Sequence, residues 1–117
     1  MVNFPKVTRQ IVLTHAQEND PALMAAGVAH TVEHAFLFPG KYQPTEAEAA
    51  IQRQMAGYWA RMARTGNPNG GNAPQWPAST VENDSYLEIG AATAAMKGPA
   101  EAKCDFWETV PFPKPHL

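Results

Sequence analysis

From Ile51 to Met62 the apolar side chains recur at intervals of three and four. Ile51, Met55, Tyr58, Trp59 and Met62 fall along one stripe, while Gln52, Arg53, Arg61 and Arg64 mostly fall outside it. The flanking residues agree with a helix. Thr45-Glu-Ala-Glu48 has the spacing of a capping box, in which the hydroxyl accepts from the amide three residues on and the carboxylate reaches back. Gly66 suits the left-handed residue that ends a helix, and Pro68 blocks its resumption. The pattern predicts an amphipathic helix over Glu46–Thr65, roughly 30 Å long, and apolar side chains at this spacing read first as a core-facing surface.

The other elements are short. Val7–Thr14 is rich in β-branched residues and alternates imperfectly, which predicts a strand with at least one buried face. Glu18-Asn-Asp-Pro21 reads as a turn and helix start: Asn19 or Asp20 can cap, and proline at the first helical position lacks only an amide that has no partner there. Ala22–Ala26 then forms a single turn, stopped by Gly27. The stretch 67–80 is a loop dense in Gly, Pro and Asn, with Trp76 expected to be pinned in an apolar pocket. Tyr86–Ile89 reads as a short strand at a sheet edge. Alanines concentrated in Ala91–Ala102 favour helix, and Pro99 opens a short helical stretch that holds Cys104, Phe106 and Trp107. Residues 111–117 read as an extended, polyproline-like tail, either lying on a surface or disordered.

Composition narrows the partners. At 117 residues the chain is long enough for one modest domain and too short for two. Nine basic against eleven acidic side chains, net charge -2 with no basic block, argue against nucleic acid or an anionic membrane. No apolar run approaches the ~18 to 20 residues of a membrane span, and Met1–Val7 lacks the layout of a signal peptide. The expectation is a soluble chain whose compartment stays open. Cys104 is the one cysteine, which excludes an internal disulfide and a Cys-cluster zinc site and leaves only a bond outside the chain. Eleven prolines, about twice the average frequency, make the second half loop-rich.

Chemistry concentrates in Gly27-Val-Ala-His30-Thr-Val-Glu33-His34-Ala-Phe-Leu-Phe38, where two imidazoles and a carboxylate lie within five residues. Three readings compete for it. The plainest makes the histidines partly buried polar groups and Glu33 a solvated acid, since isolated His and Glu seldom mark a site. The second is a zinc site, because His30-x-x-Glu33-His34 matches the H-x-x-E-H signature of inverted zincins. On a helix His30 and His34 would share a face and ligate one ion while Glu33 polarised its water, with Glu101 or Glu108 as remote candidates for the third ligand.

The third reading rests on most of the chain. The ordered series runs Gly27-Val-Ala-His30-x-x-Glu33, Phe36-Leu-Phe38, and Gln54-Met-Ala-Gly-Tyr58-Trp59-Ala-Arg-Met-Ala63-Arg-Thr-Gly66-Asn-Pro68-Asn69-Gly70. It continues through Trp76-Pro77, Tyr86-Leu87 and Cys104-Asp105-Phe106-Trp107. From about Val7 to Val110 the chain resembles the C-terminal part of a type-B carboxylesterase, the cholinesterase-like branch of the α/β-hydrolases. The Tyr-Trp helix followed by Thr-Gly-Asn-Pro-Asn-Gly and Trp-Pro is far more specific than a five-residue motif, and decides against the metallopeptidase. The resemblance implies an α/β fold, here the C-terminal fragment of an α/β-hydrolase, with no cofactor and a carboxylic ester as substrate. It also implies that His30 is the histidine of a Ser-Glu/Asp-His triad and that Glu33 is part of the hydrogen-bonded support around the active site. Two positions depart from the pattern: Thr31 stands where glycine is common, which limits close packing beside His30, and His34 stands where an aliphatic residue is common.

A triad also needs a nucleophile, an orienting acid and an oxyanion hole. Neither Ser79 nor Ser85 lies in a G-x-S-x-G turn, and in the chain order Ser, acid, His both partners of His30 belong upstream. The Gly-rich loop that donates amides to an oxyanion is also missing, since Gly70-Gly71 lies downstream with no nucleophile beside it. The chain is therefore expected to be one part of a larger esterase, inactive alone, whose apolar faces (Ile11, Phe36, Phe38, Trp59, Trp107) meet the missing N-terminal part or a second copy. A non-catalytic binding or assembly module is the alternative from a different class.

Overall fold

The computed structural model describes residues 7–38 and 40–111. Their elements, in chain order, are β1 (Gln10–Leu13), α1 (Pro21–Ala26), α2 (His34–Leu37), α3 (Glu46–Thr65), β2 (Ser85–Ile89), β3 (Ala94–Lys97) and α4 (Glu101–Glu108). The expected tail at 112–117 lies outside the described residues.

Helix α3 has the predicted bounds and caps. Thr45 Oγ1 accepts from the Glu48 amide at 3.2 Å and Glu48 Oε2 accepts from the Thr45 amide at 2.8 Å, so the capping box is complete. At the other end Gly66 sits at φ 73, and its N–H donates to the Met62 carbonyl. Ile51, Met55 and Tyr58 are buried, but Trp59 is 37% exposed and Met62 half-buried, so only the first part of the stripe faces the core.

The three strands form one sheet in the order β1-β2-β3. β1 runs parallel to β2, with Gln10 opposite Tyr86 and Leu13 opposite Ile89, and β3 returns antiparallel, with Ser85 opposite Lys97. Parallel neighbours need a long crossover. Here it contains α1, α2 and α3, and α3 supplies the cover: Ile51, Met55 and Tyr58 join Phe36, Trp76, Leu87 and Ile89 in one buried cluster, flanked by Ile11 and Leu13. The result is a small mixed helix and strand assembly. No helix among the described residues is long and apolar enough to cross a membrane.

Trp76 is pinned, as its loop predicts. Its backbone N–H donates to Asn69 Oδ1 at 2.7 Å, its carbonyl accepts from Asn69 Nδ2 at 3.0 Å, and its ring N–H donates to the Gln10 carbonyl at 2.9 Å. The ring meets Tyr58 edge-on, with centroids 5.5 Å apart. The indole therefore ties the loop to both α3 and β1, and aromatic pairs of this geometry contribute about 0.5–1.5 kcal/mol beyond area burial.

Three expectations need correction. Tyr86–Ile89 is the central strand, paired on both sides, and not an edge. Part of the Ala-rich stretch forms strand β3 and not helix. Alanine's helical advantage is at most about 0.7 kcal/mol per residue over ordinary residues, and ladder bonds to β2 outweigh it. The last helix begins at Glu101, with Ala100 as its cap and Pro99 outside it.

Truncation of the central strand should be costly. Leu87→Ala, at a fully buried position, is expected to lower the unfolding free energy by about 2–5 kcal/mol in urea titrations. Val81→Ala, at a fully solvated one, should stay within about 0.5 kcal/mol.

Candidate functional site

The segment that carries the histidines is built from local signals. Asp20 Oδ1 accepts from the Ala22 and Leu23 amides at 2.9 and 3.2 Å, Pro21 occupies the first turn, and Gly27 at φ 70 closes α1. Tight turns follow, with Val32 N–H on the Ala29 carbonyl and His34 N–H on the Thr31 carbonyl. Thr31 adopts φ 75, a left-handed conformation that a β-branched residue enters only with strain. Glycine suits that position better, so the departure to threonine noted in the sequence carries a backbone cost.

Helix α2 starts only at His34, so His30 and His34 are not on one continuous helix, as the zinc reading requires. Both nevertheless line a single open cleft of about 300 Å³ with Gln17, Leu23, Gly27 and Thr31. His30 is exposed there, and the His34 ring meets Phe38 edge-on at 6.4 Å. Glu33 faces elsewhere, half-buried in a second cleft of about 300 Å³ with Ile11, Leu13, Met55 and Trp59. Ser79 Oγ accepts from Gln10 Nε2 at 2.6 Å and Ser85 Oγ contacts the Asn83 backbone carbonyl at 3.4 Å, and neither lines the His30 cleft. Glu101 and Glu108 sit on exposed α4, and Cys104 is a free, exposed thiol.

A second constellation, not visible in the sequence, surrounds Glu48. Its fully buried carboxylate accepts from the Glu18 amide at 2.7 Å, from the Thr45 amide at 2.8 Å and from the Tyr42 hydroxyl at 2.9 Å. His15 Nε2 lies 3.7 Å from Glu48 Oε1 and 3.3 Å from Glu18 Oε1. Among the described residues, His15, Glu18 and Glu48 are the one trio whose donor atoms are close enough to share a cation. A carboxylate has about four acceptor positions, and protein donors already occupy three of Glu48's, which suits an internal tie better than a metal ligand. Burial pushes the Glu48 carboxyl up, but the Thr45, Glu18 and Tyr42 hydrogen bonds and the nearby His15 outweigh it and hold the group below its ordinary 4.5. Burial, reinforced by Glu48, pushes the Tyr42 hydroxyl above 10.0.

Comparison with known proteins decides the family. The model of the carboxylesterase family matches residues 6–107. The chain belongs to the carboxylesterase family. It is 34% identical to carboxylesterase 5A of Mus musculus over 106 residues, which is 82% of this chain and 18% of that protein. Against liver carboxylesterase 1 of Oryctolagus cuniculus it is 43% identical over 63 residues, covering 54% of this chain and 11% of that protein. Against the medium-chain fatty acyl-CoA hydrolase precursor of Anas platyrhynchos it is 38% identical over 81 residues, 67% and 14% of the two chains. This carboxylesterase-family chain thus spans under a fifth of the length of these curated relatives.

Within the family chain, the capping-box motif was the one sequence signal that touched the Glu48 network. It announced the Thr45 bonds, whereas Glu18 and Tyr42 are brought in by loops.

Two outcomes follow for stability. Because Glu48 is more acidic folded than free, its contribution is present above about pH 4.5 and lost as the pH falls through and below that value. Urea unfolding of Glu48→Gln should therefore show a shallower acid-side slope than the native chain between about pH 5 and 3. Thr31→Gly should relieve the left-handed strain and raise stability by about 0.5–1 kcal/mol, read as a higher thermal midpoint.

Proposed function

We propose that the chain is the C-terminal segment of a serine carboxylic-ester hydrolase of α/β-hydrolase fold, in which His30 serves as general base and acid. The observation that carries this reading is the exposed turn at Gly27-Val-Ala-His30, on the crossover that leaves parallel strand β1, in a chain of the carboxylesterase family. A parallel pair covered by a helix is consistent with one section of such a sheet. The imidazole takes the proton of a serine hydroxyl as that oxygen attacks the ester carbonyl. It then returns the proton to the departing alcohol, and repeats the cycle with water in deacylation. Imidazole, which can both accept and return a proton, is the side chain suited to both directions of transfer.

The nucleophile, the acid and the oxyanion donors come from chain upstream in this reading. Ser79 and Ser85 are engaged with the sheet side of the molecule and away from the His30 cleft. β1 pairs on one side only among the described residues, and Ile11, Leu13 and Trp59 line an open cleft beside Glu33. That edge and cleft form the face for the upstream segment, with Glu33 brought against it as support for the site. Without that segment the same face promotes self-association.

Hydrolysis of a short-chain nitrophenyl ester tests the assignment. The chain alone should show no activity above its His30→Ala variant. Substituted for the matching segment of carboxylesterase 5A, it should support hydrolysis, and His30→Ala in that chimera should remove it by about 10³-fold or more. Activity in the chimera that is indifferent to His30 would overturn the role given to it, and activity of the isolated chain that His30→Ala abolishes would overturn its dependence on upstream residues.

A further inference from the structure

We infer that Glu48 and Gln52 are positioning residues that moor the two ends of the histidine-bearing segment to one face of α3. They stand four residues apart, one helical turn, and so lie side by side. Glu48 holds the entry to the segment through the Glu18 amide at 2.7 Å, and its partner Tyr42 accepts from the Asn19 amide at 3.1 Å. Gln52 Nε2 holds the exit by donating to the Ala35 carbonyl at 3.1 Å, beside the buried ring of Phe36.

Between those points the segment has no other polar attachment. Among the described residues, every hydrogen bond made by residues 20–34 closes within residues 20–38. Pro21–Ala26 and 28–31 are exposed, while Val32 and Glu33 are half-buried, so packing adds little until the chain nears its exit end. The arch is internally well formed, with Asp20 capping α1 and tight turns around His30, but its placement depends on its ends. A rigid 20-residue helix that grips both ends fixes where His30 is presented. A displacement of about 1 Å in a catalytic group is enough to cost a large part of the rate. Glu48 and Gln52 act through the arch, and neither lines the cleft that holds His30.

The role as an aid to catalysis rests on the reading of His30 as proton carrier, whereas the mooring itself is tested without any ester. In the native chain, Gln52→Ala should speed amide hydrogen exchange at Phe36, Leu37 and Phe38 about fivefold and shift the His30 ring ¹H–¹⁵N resonances. Amides of β2 should keep their rates. Gln52→Lys retains a donor and should restore both readings. Glu48→Gln should produce the same pattern at the entry, at Met24 and Gly27. Unchanged exchange and ring resonances, or acceleration spread equally over β2, would overturn the proposal. If Glu48→Gln does not fold, the Gln52 pair alone decides. Loss of the esterase reading leaves these measurements interpretable, and their failure leaves the chimera assay intact.

Discussion

A carboxylate can be buried only where donors replace the water it gives up, and Glu48 is fully buried. Two backbone amides and a tyrosine hydroxyl meet that demand, and they come from three places: Glu18 in the loop after β1, Tyr42 in the loop before α3 and Thr45 at the N-cap of α3, while the carboxylate itself sits in the first turn. Meeting it therefore assembles the crossover. The loop after β1 cannot depart from the start of α3 without leaving a buried anion short of donors, which costs more than the loss of an ordinary hydrogen bond. The same charge thus joins the strand on one side of the crossover to the helix that covers the sheet.

What was legible in the sequence was what local chemistry dictates. The caps and periodicity of α3 need only near neighbours, and the Asp20-Pro21 start and Gly27 stop of α1 are likewise written within a few residues. The central position of Tyr86–Ile89 was not legible, because a short apolar strand reads the same whether it has one partner or two. Ala94–Lys97 departs from its helical expectation for a related reason: alanine states a helical preference, and only the register against Ser85–Glu88 overrides it. Helix α2 is a single turn with no cap of its own, held by Phe36 in the core, so no local signal precedes it.

The candidate site divides along the same line. His30, Glu33 and His34 were conspicuous as a run, and the family resemblance had already singled out His30. The structure places His30 and His34 at one cleft and Glu33 at another, a separation invisible to a count of residues. Conversely, Glu48 reads in sequence as a capping residue and nothing more. Its further bonds depend on where Tyr42 and the amide of Glu18 arrive in space.

The parallel pairing of β1 with β2 joins segments far apart along the chain: Thr14 bonds to Ile89 across 75 residues. Closing so long a loop is entropically costly before any contact rewards it, and topologies of this kind fold slowly. Helix α3, whose capping box is local, is suited to form early and to bring the loop after β1 to its first turn. On a ribosome, β1 emerges long before β2, and the edge that β2 will pair waits open while the intervening helix is made. Until β2 follows, the edge of β1 that will meet it is open to mispairing with neighbouring chains.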